Sequence, residues 1–141
     1  MNGYEGLRSL PGLRLLSYDE GEKCNYQYIV LEVDAALTRV SRDDLVRVLW
    51  AENVLARRYF YPGCHRMEPY RSCYPQAGLA LPVTEQLAER VLALPTGTAV
   101  GPEQIAVICQ ILGTAVSQGA VIHQRLSASE AKAWSRAPDP D

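Results

Sequence analysis

The densest concentration of reactive side chains in this sequence is residues 57–70, RRYFYPGCHRMEPY. Tyr59, Phe60 and Tyr61 run together, Pro62-Gly63 follows, and then come Cys64, His65 and Arg66. Pro fixes φ and Gly tolerates positive φ, so Pro62-Gly63 predicts a turn that ends a short strand and leaves His65 on a loop, where binding groups concentrate. An imidazole and a phenol can hydrogen-bond hydroxyls, and a guanidinium suits phosphate. The competing reading is an aromatic loop packed on its own domain, because Tyr and Phe form cores first. A Cys64–His65 nucleophilic pair is disfavoured, since adjacent residues in an extended chain point apart and no orienting acid is evident. A zinc site from Cys64, His65 and Cys73 would lack both a C-x-x-C pair and regular spacing, so no metal is assigned. Glu52, Glu68, Glu85 and Glu89 read as solvated surface, and Asp43 and Asp44 as helix-start residues rather than a catalytic pair. Neither a phosphate-cradling glycine loop nor a G-x-S-x-G elbow is present.

The elements that would carry this loop follow from periodicity. Residues 26–33, YQYIVLEV, alternate with both faces largely apolar, which predicts a central strand covered on two sides. Ser41 with Asp44 three residues on is close to a capping box, and predicts a helix from Arg42 to about Val54 with Leu45, Val48 and Leu49 on one side. Residues 55–60 read as a second strand, and residues 67–82, with Pro69, Pro75, Gly78 and Pro82, as an extended loop. A helix over about 84–92 ends in a short extended piece near Ala93-Leu94. Pro102 opens another helix, with Ile105, Ile108, Cys109, Leu112 and Val116 as its apolar stripe, to about Ser117. Residues 1–24 look like a linker-like opening segment, with Leu13, Leu15 and Leu16 as a short edge strand, and residues 119–141 like a partly disordered tail. The order predicts an α/β (α+β) domain with helices packed on a short sheet.

The chain has 141 residues, room for one domain with a real core, and 48% hydrophobic residues, an ordinary share. A net charge of −2 gives no electrostatic case for nucleic acid or an anionic membrane. Only Lys23 and Lys132 are available for Schiff-base chemistry, the remaining basic side chains apart from His being arginine. No signal peptide or membrane-spanning run is read, so the expectation is a cytoplasmic protein whose cysteines are reduced, with Cys109 in the core.

Asn25-Tyr26-Gln27-Tyr28, then SRDDL (41–45), LWAENVLARRYFYPGCH (49–65), EPY (68–70), LPVTE (81–85), LALPTG (92–97) and GPEQI (101–105), come in an order that resembles the C-terminal domain of the nucleotide-sugar aminotransferase (DegT/DnrJ/StrS) family. The resemblance covers roughly residues 3–118 and implies the small domain of a type I pyridoxal-phosphate enzyme, residues 25–118 here. In such enzymes a large N-terminal domain binds pyridoxal phosphate through a lysine, and the small domain helps to bind a keto-sugar nucleotide within a dimer. Carried over to this sequence, the resemblance implies substrate contacts from His65, Tyr61 and Arg58, with Asn25 at the mouth of the first strand. Arg58 as a surface ion-pair residue, Tyr61 as packing and Asn25 as a turn cap are the structural alternatives. Neither Lys23 nor Lys132 matches the cofactor lysine, so no cofactor and no catalytic residue is assigned to this chain. The expectation is a free-standing C-terminal domain, inactive alone, that pairs with a large-domain chain or with itself. The alternative is a non-catalytic remnant or self-associating interaction module. Apolar Tyr4, Leu7, Leu10 and residues 59–61 are expected on the partner-facing surface.

Overall fold

Strand alternation and helical periodicity sort the apolar residues of this chain onto one core. A computed structural model describes residues 3–19 and 21–134. Antiparallel strands β1 (Leu13–Leu15), β2 (Ile29–Val33) and β3 (Val91–Leu94) form a sheet in the order β1-β2-β3. The helices are α1 (Ala35–Thr38), α2 (Arg42–Ala51), α3 (Tyr70–Cys73), α4 (Ala77–Ala80), α5 (Pro82–Arg90), α6 (Pro102–Ser117) and α7 (Gly119–Trp134), with 3-10 turns at Tyr4–Ser9 and Cys64–Arg66. Leu13 pairs with Val33, Leu31 with Leu92 and Ile29 with Leu94, so these side chains share one sheet face with Leu15, and all are buried. Leu45 and Leu49 of α2 and Ile108, Leu112 and Ala115 of α6 cover that face. Each fully buried Leu or Ile contributes roughly 1.5–3 kcal/mol, and this inner layer dominates the domain's stability.

The helix ends are set by local chemistry. Ser41 Oγ accepts from Asp44 N at 3.1 Å and Asp44 Oδ2 accepts from Ser41 N at 3.2 Å, the reciprocal pair that the sequence predicts at the start of α2. Pro102 occupies the first turn of α6, where its missing N–H costs nothing, and Gln104 Oε1 accepts from Gly101 N at 3.0 Å. The helix over 102–117 thus has its expected bounds.

Several expectations are corrected. The first strand starts at Ile29 rather than 26, and its outer face is not fully covered: Val30 and Glu32 line an open cleft beside α5. Residues 55–60 form no strand beyond one bridge between Arg57 and Ala93. Residues 67–82 are not simply extended, because α3 and α4 each add a single turn between the prolines. The helix ahead of β3 begins at Pro82, and α2 ends at Ala51. The opening segment is more than a linker: Tyr4 and Leu7 are buried in the core, so neither is partner-facing surface. The Tyr4 hydroxyl donates to Pro95 O at 3.1 Å, and burial beside Cys109 pushes this phenol up to about 12.

Residues read as a fraying tail are helical through Trp134, while residues 135–141 lie outside the described residues. Helix α7 turns 84° from α6. Its first residue, Gly119, presses on α1, Ile122 packs against the core, and His123 Nδ1 donates to Asp44 Oδ2 at 2.8 Å. Among the described residues no single helix is long and apolar enough to cross a membrane.

A Cβ at position 119 would lie 2.1 Å from the Thr38 carbonyl oxygen. Gly119→Ala is therefore expected to lower stability by about 1–3 kcal/mol in urea unfolding, as overpacking against fixed backbone does. Gly6→Ala, where nothing lies within 4 Å of the added carbon, should stay within about 0.5 kcal/mol of the parent. Burial raises the Asp44 carboxyl, but hydrogen bonds from His123 and Ser41 outweigh it, and the group titrates below its ordinary value. A depressed folded-state value contributes stability above the unfolded value of about 3.9 and loses it as pH falls through the folded one. Asp44→Asn should therefore cost more stability at pH 6 than at pH 3, read from paired urea titrations.

Candidate functional site

The outer face of the sheet is the floor of a cleft of about 960 Å³. Alternation places Tyr28, Val30 and Glu32 of the central chain on this face, with Leu16 and Val91 beside them. Helix α5 lines it through Leu87 and Ala88, and Tyr70 and Tyr74 line it as well. At one end Arg14 Nε donates to Glu32 Oε2 at 2.8 Å. The lining is mostly carbon, and aromatic side chains at its margin stay open, with Phe60 70% and Tyr74 66% exposed.

His65 enters the cleft lining from the 3-10 turn after Pro62-Gly63, as the turn chemistry predicts. Gly63 has φ +92°, and a Cβ there would meet His65 Cε1 at 2.8 Å. Only glycine satisfies both the backbone angle and the ring's position. The imidazole side chain is 9% exposed, and its Nε2 lies 2.6 Å from Glu85 Oε1. Arg66 Nε donates to the same oxygen at 2.8 Å, and Arg66 Nη2 pairs with Glu85 Oε2. Hydrogen bonds from Arg66 and His65 hold the Glu85 carboxyl below its ordinary value, so it stays a carboxylate. Glu85 is thus more than solvated surface. Sequence reasoning did not place this acid beside His65, because its partners lie 19 and 20 residues away across a loop. Among the described residues no hydrogen bond joins the Cys64 thiol to His65.

Tyr61 and Arg58 lie elsewhere. Tyr61 lines a separate polar pocket of about 430 Å³ with Asp34, Arg42 and Asp43. The guanidinium carbons of Arg42 and Arg58 sit 5.2 Å and 5.1 Å from its ring centre, a cation–π arrangement. Arg58 reaches Asp43 Oδ1 at 3.4 Å. Arg42, which the sequence does not single out, is buried; its Nη1 donates to Ala88 O at 2.9 Å and Val91 O at 2.7 Å, and its Nε to Asp43 at 2.8 Å. Its signal was hidden, since an arginine at the start of a helix reads as surface until the end of α5 is brought against it. Asn25 Oδ1 accepts from Gln27 N at 3.1 Å, a turn cap, and lies in a third pocket with Lys23. The structure therefore brings Tyr61 and Arg58 together, and leaves His65 and Asn25 in two other places.

Among the described residues no group of three or more metal-ligating side chains comes together. Pyridoxal phosphate held through a Schiff base does not fit either. No lysine lines the cleft, Lys23 lines the third pocket, and the Lys132 side chain lies outside those described.

Residues 4–113 match the DegT/DnrJ/EryC1/StrS aminotransferase family. A dTDP-4-amino-4,6-dideoxy-D-glucose transaminase of Escherichia coli is 30% identical over 106 residues, 75% of this chain and 28% of the relative. The crystal structure of DesI in the presence of its TDP-sugar product superposes with a TM-score of 0.80 and 43% identity, covering 89% of this chain and 31% of that one. The aminotransferase TlmJ from Streptoalloteichus hindustanus, with a TM-score of 0.65, 22% identity, and coverage of 82% of this chain and 29% of that one, shares the fold. The chain thus spans under a third of the length of these relatives. The expected fold class, a mixed α/β domain of the type I aminotransferase kind with helices on a short sheet, is the one observed.

Proposed function

Because the chain belongs to the DegT/DnrJ/EryC1/StrS aminotransferase family, we propose that it supplies the small-domain portion of a nucleotide-sugar aminotransferase. In this reading another portion, on a separate chain or a longer one, holds pyridoxal phosphate, and the present residues are inactive alone. Amino-group transfer needs an electron-sink cofactor, and the residues lining the cleft include no lysine to hold one as a Schiff base. What these residues can do is bind and orient. His65 presents a fixed imidazole at an apolar wall, and Tyr61 and Arg58 present a phenol and a guanidinium beside it in sequence. These groups suit sugar hydroxyls and phosphate respectively. Asn25, occupied as a turn cap, is the weakest contributor.

The observation that carries the reading is the open cleft itself. A wall of carbon with exposed Phe60, Tyr70 and Tyr74 supports a covering portion, because apolar surface gathered in one place marks interaction or ligand sites. The same exposure favours a second reading, a non-catalytic remnant or self-associating module. The two differ in whether the chain restores turnover to a cofactor-bearing portion.

Incubated alone with pyridoxal phosphate and reduced with borohydride, the chain should show no stoichiometric label at Lys23 or Lys132 in peptide mass mapping. Full labelling at either would move the cofactor onto this chain. Joined to a cofactor-bearing portion, it should turn over a TDP-linked keto-sugar. His65→Ala should then lower kcat/KM roughly tenfold, the worth of one hydrogen bond, with little change in the unfolding midpoint. Unchanged kinetics would remove His65 from the site, and no turnover with any portion would leave the self-associating module.

A further inference from the structure

The imidazole of His65 has two nitrogens, and the structure commits one of them. Nε2 faces Glu85 Oε1 at 2.6 Å, and a carboxylate only accepts, so Nε2 carries the hydrogen. The pair is built in rather than incidental. Gly63 clears space against Cε1 and Nδ1, Arg66 closes on both oxygens of the same carboxylate, and the ring is nine-tenths covered. Arg66 supplies a cation to the same carboxylate. Among the described residues Nδ1 has no hydrogen-bond partner.

We propose that Glu85 is the positioning residue of His65: it holds the ring as the Nε2–H tautomer, and so leaves Nδ1 as a hydrogen-bond acceptor for a hydroxyl of the sugar rather than for a phosphate oxygen. This rests on the reading that the cleft takes a nucleotide sugar. A hydroxyl can donate to Nδ1, whereas an ionised phosphate oxygen only accepts and would face a lone pair. The charges around the cleft agree. Arg14 is paired with Glu32, Arg66 is spent on Glu85, and Arg58 lies with Tyr61 outside the cleft lining. The lining is thus mostly apolar, its polar groups include His65, Thr84 and tyrosines, and the arginine that lines it is already paired, which suits a deoxygenated or partly hydroxylated sugar ring better than a diphosphate.

The test is a long-range proton–nitrogen correlation spectrum of the full nitrogen-15-labelled chain at pH 8. The expected pattern for His65 is a protonated Nε2 and an unprotonated Nδ1. Glu85→Leu should lose the single tautomer and give an averaged pattern, while resonances of the inner sheet face stay in place. A protonated Nδ1 in the parent chain overturns the positioning role without recourse to any variant, and so does a single Nε2–H tautomer that survives Glu85→Leu. TDP-glucose is then compared with TDP. A shift of the Nδ1 resonance with TDP-glucose and none with TDP supports a hydroxyl donor. An equal shift with TDP overturns it. No shift with either overturns the ligand half together with the nucleotide-sugar reading, while the tautomer result stands or falls separately.

Discussion

The buried guanidinium of Arg42 holds the two layers of this domain in register. It lies at the first turn of α2, and donates from Nη1 to the carbonyls of Ala88 and Val91, where α5 gives way to β3. A buried charge is costly unless its donors are satisfied, so this geometry is demanding. Asp43 takes Nε, and the Tyr61 ring covers the guanidinium. The consequence is positional. Helix α5 is fixed against the sheet edge, and α5 carries both the wall of the cleft and Glu85. The orientation of His65 therefore depends on a residue that never touches it.

The two faces of the sheet have opposite fates from the same alternation. On the inner face Leu31 and Leu92 are fully buried beneath α2 and α6. On the outer face Leu16 and Tyr28 stay roughly half open. A strand with apolar residues on both faces is normally covered on both. Here the second cover is a cleft, and its margin of exposed aromatics forms a contiguous surface rather than scattered single residues. That asymmetry is what places the proposed binding role on the outer face.

Much of the fold is legible in the sequence where a local rule suffices. Ser41 and Asp44 specify the start of α2, Pro102 the start of α6, and the stripe through Ile108 and Leu112 the buried side of α6. The legible part fails where tertiary contacts decide. Tyr4 and Leu7 lie among glycines and a proline that suggest a linker, yet the pocket beside α6 buries them. Residues 55–60 have strand composition, but only Arg57 finds a partner, Ala93. Helix α7 has an Ala/Ser-rich sequence that suggests fraying, and it is its contacts through Gly119, Ile122 and His123 that seat it. Of the site, Pro62-Gly63 signals the turn that carries His65, while the separation of Tyr61, with Arg58 over its ring, and of Asn25 into two other pockets has no sequence signature.

A common arrangement underlies the polar contacts of the loop and of α7. Asp43 and Asp44 lie in the first turn of α2, and Glu85 in the first turn of α5, where the helix dipole favours a negative charge. Each carboxylate then gathers more than one donor. Asp43 takes Arg42 and Arg58, Asp44 takes Ser41 and His123, and Glu85 takes Arg66 and His65. The more exposed of these pairs, Arg58–Asp43 and Arg66–Glu85, add little stability individually, roughly 0–1 kcal/mol. Their effect is directional: apolar packing decides where the loop and α7 lie, and the acids decide which way each imidazole and guanidinium points. Residues that serve as helix starts thus also set the geometry of the side chains with chemistry. The same sequence positions therefore satisfy a local rule and a long-range one, and only the first can be read before the chain is folded.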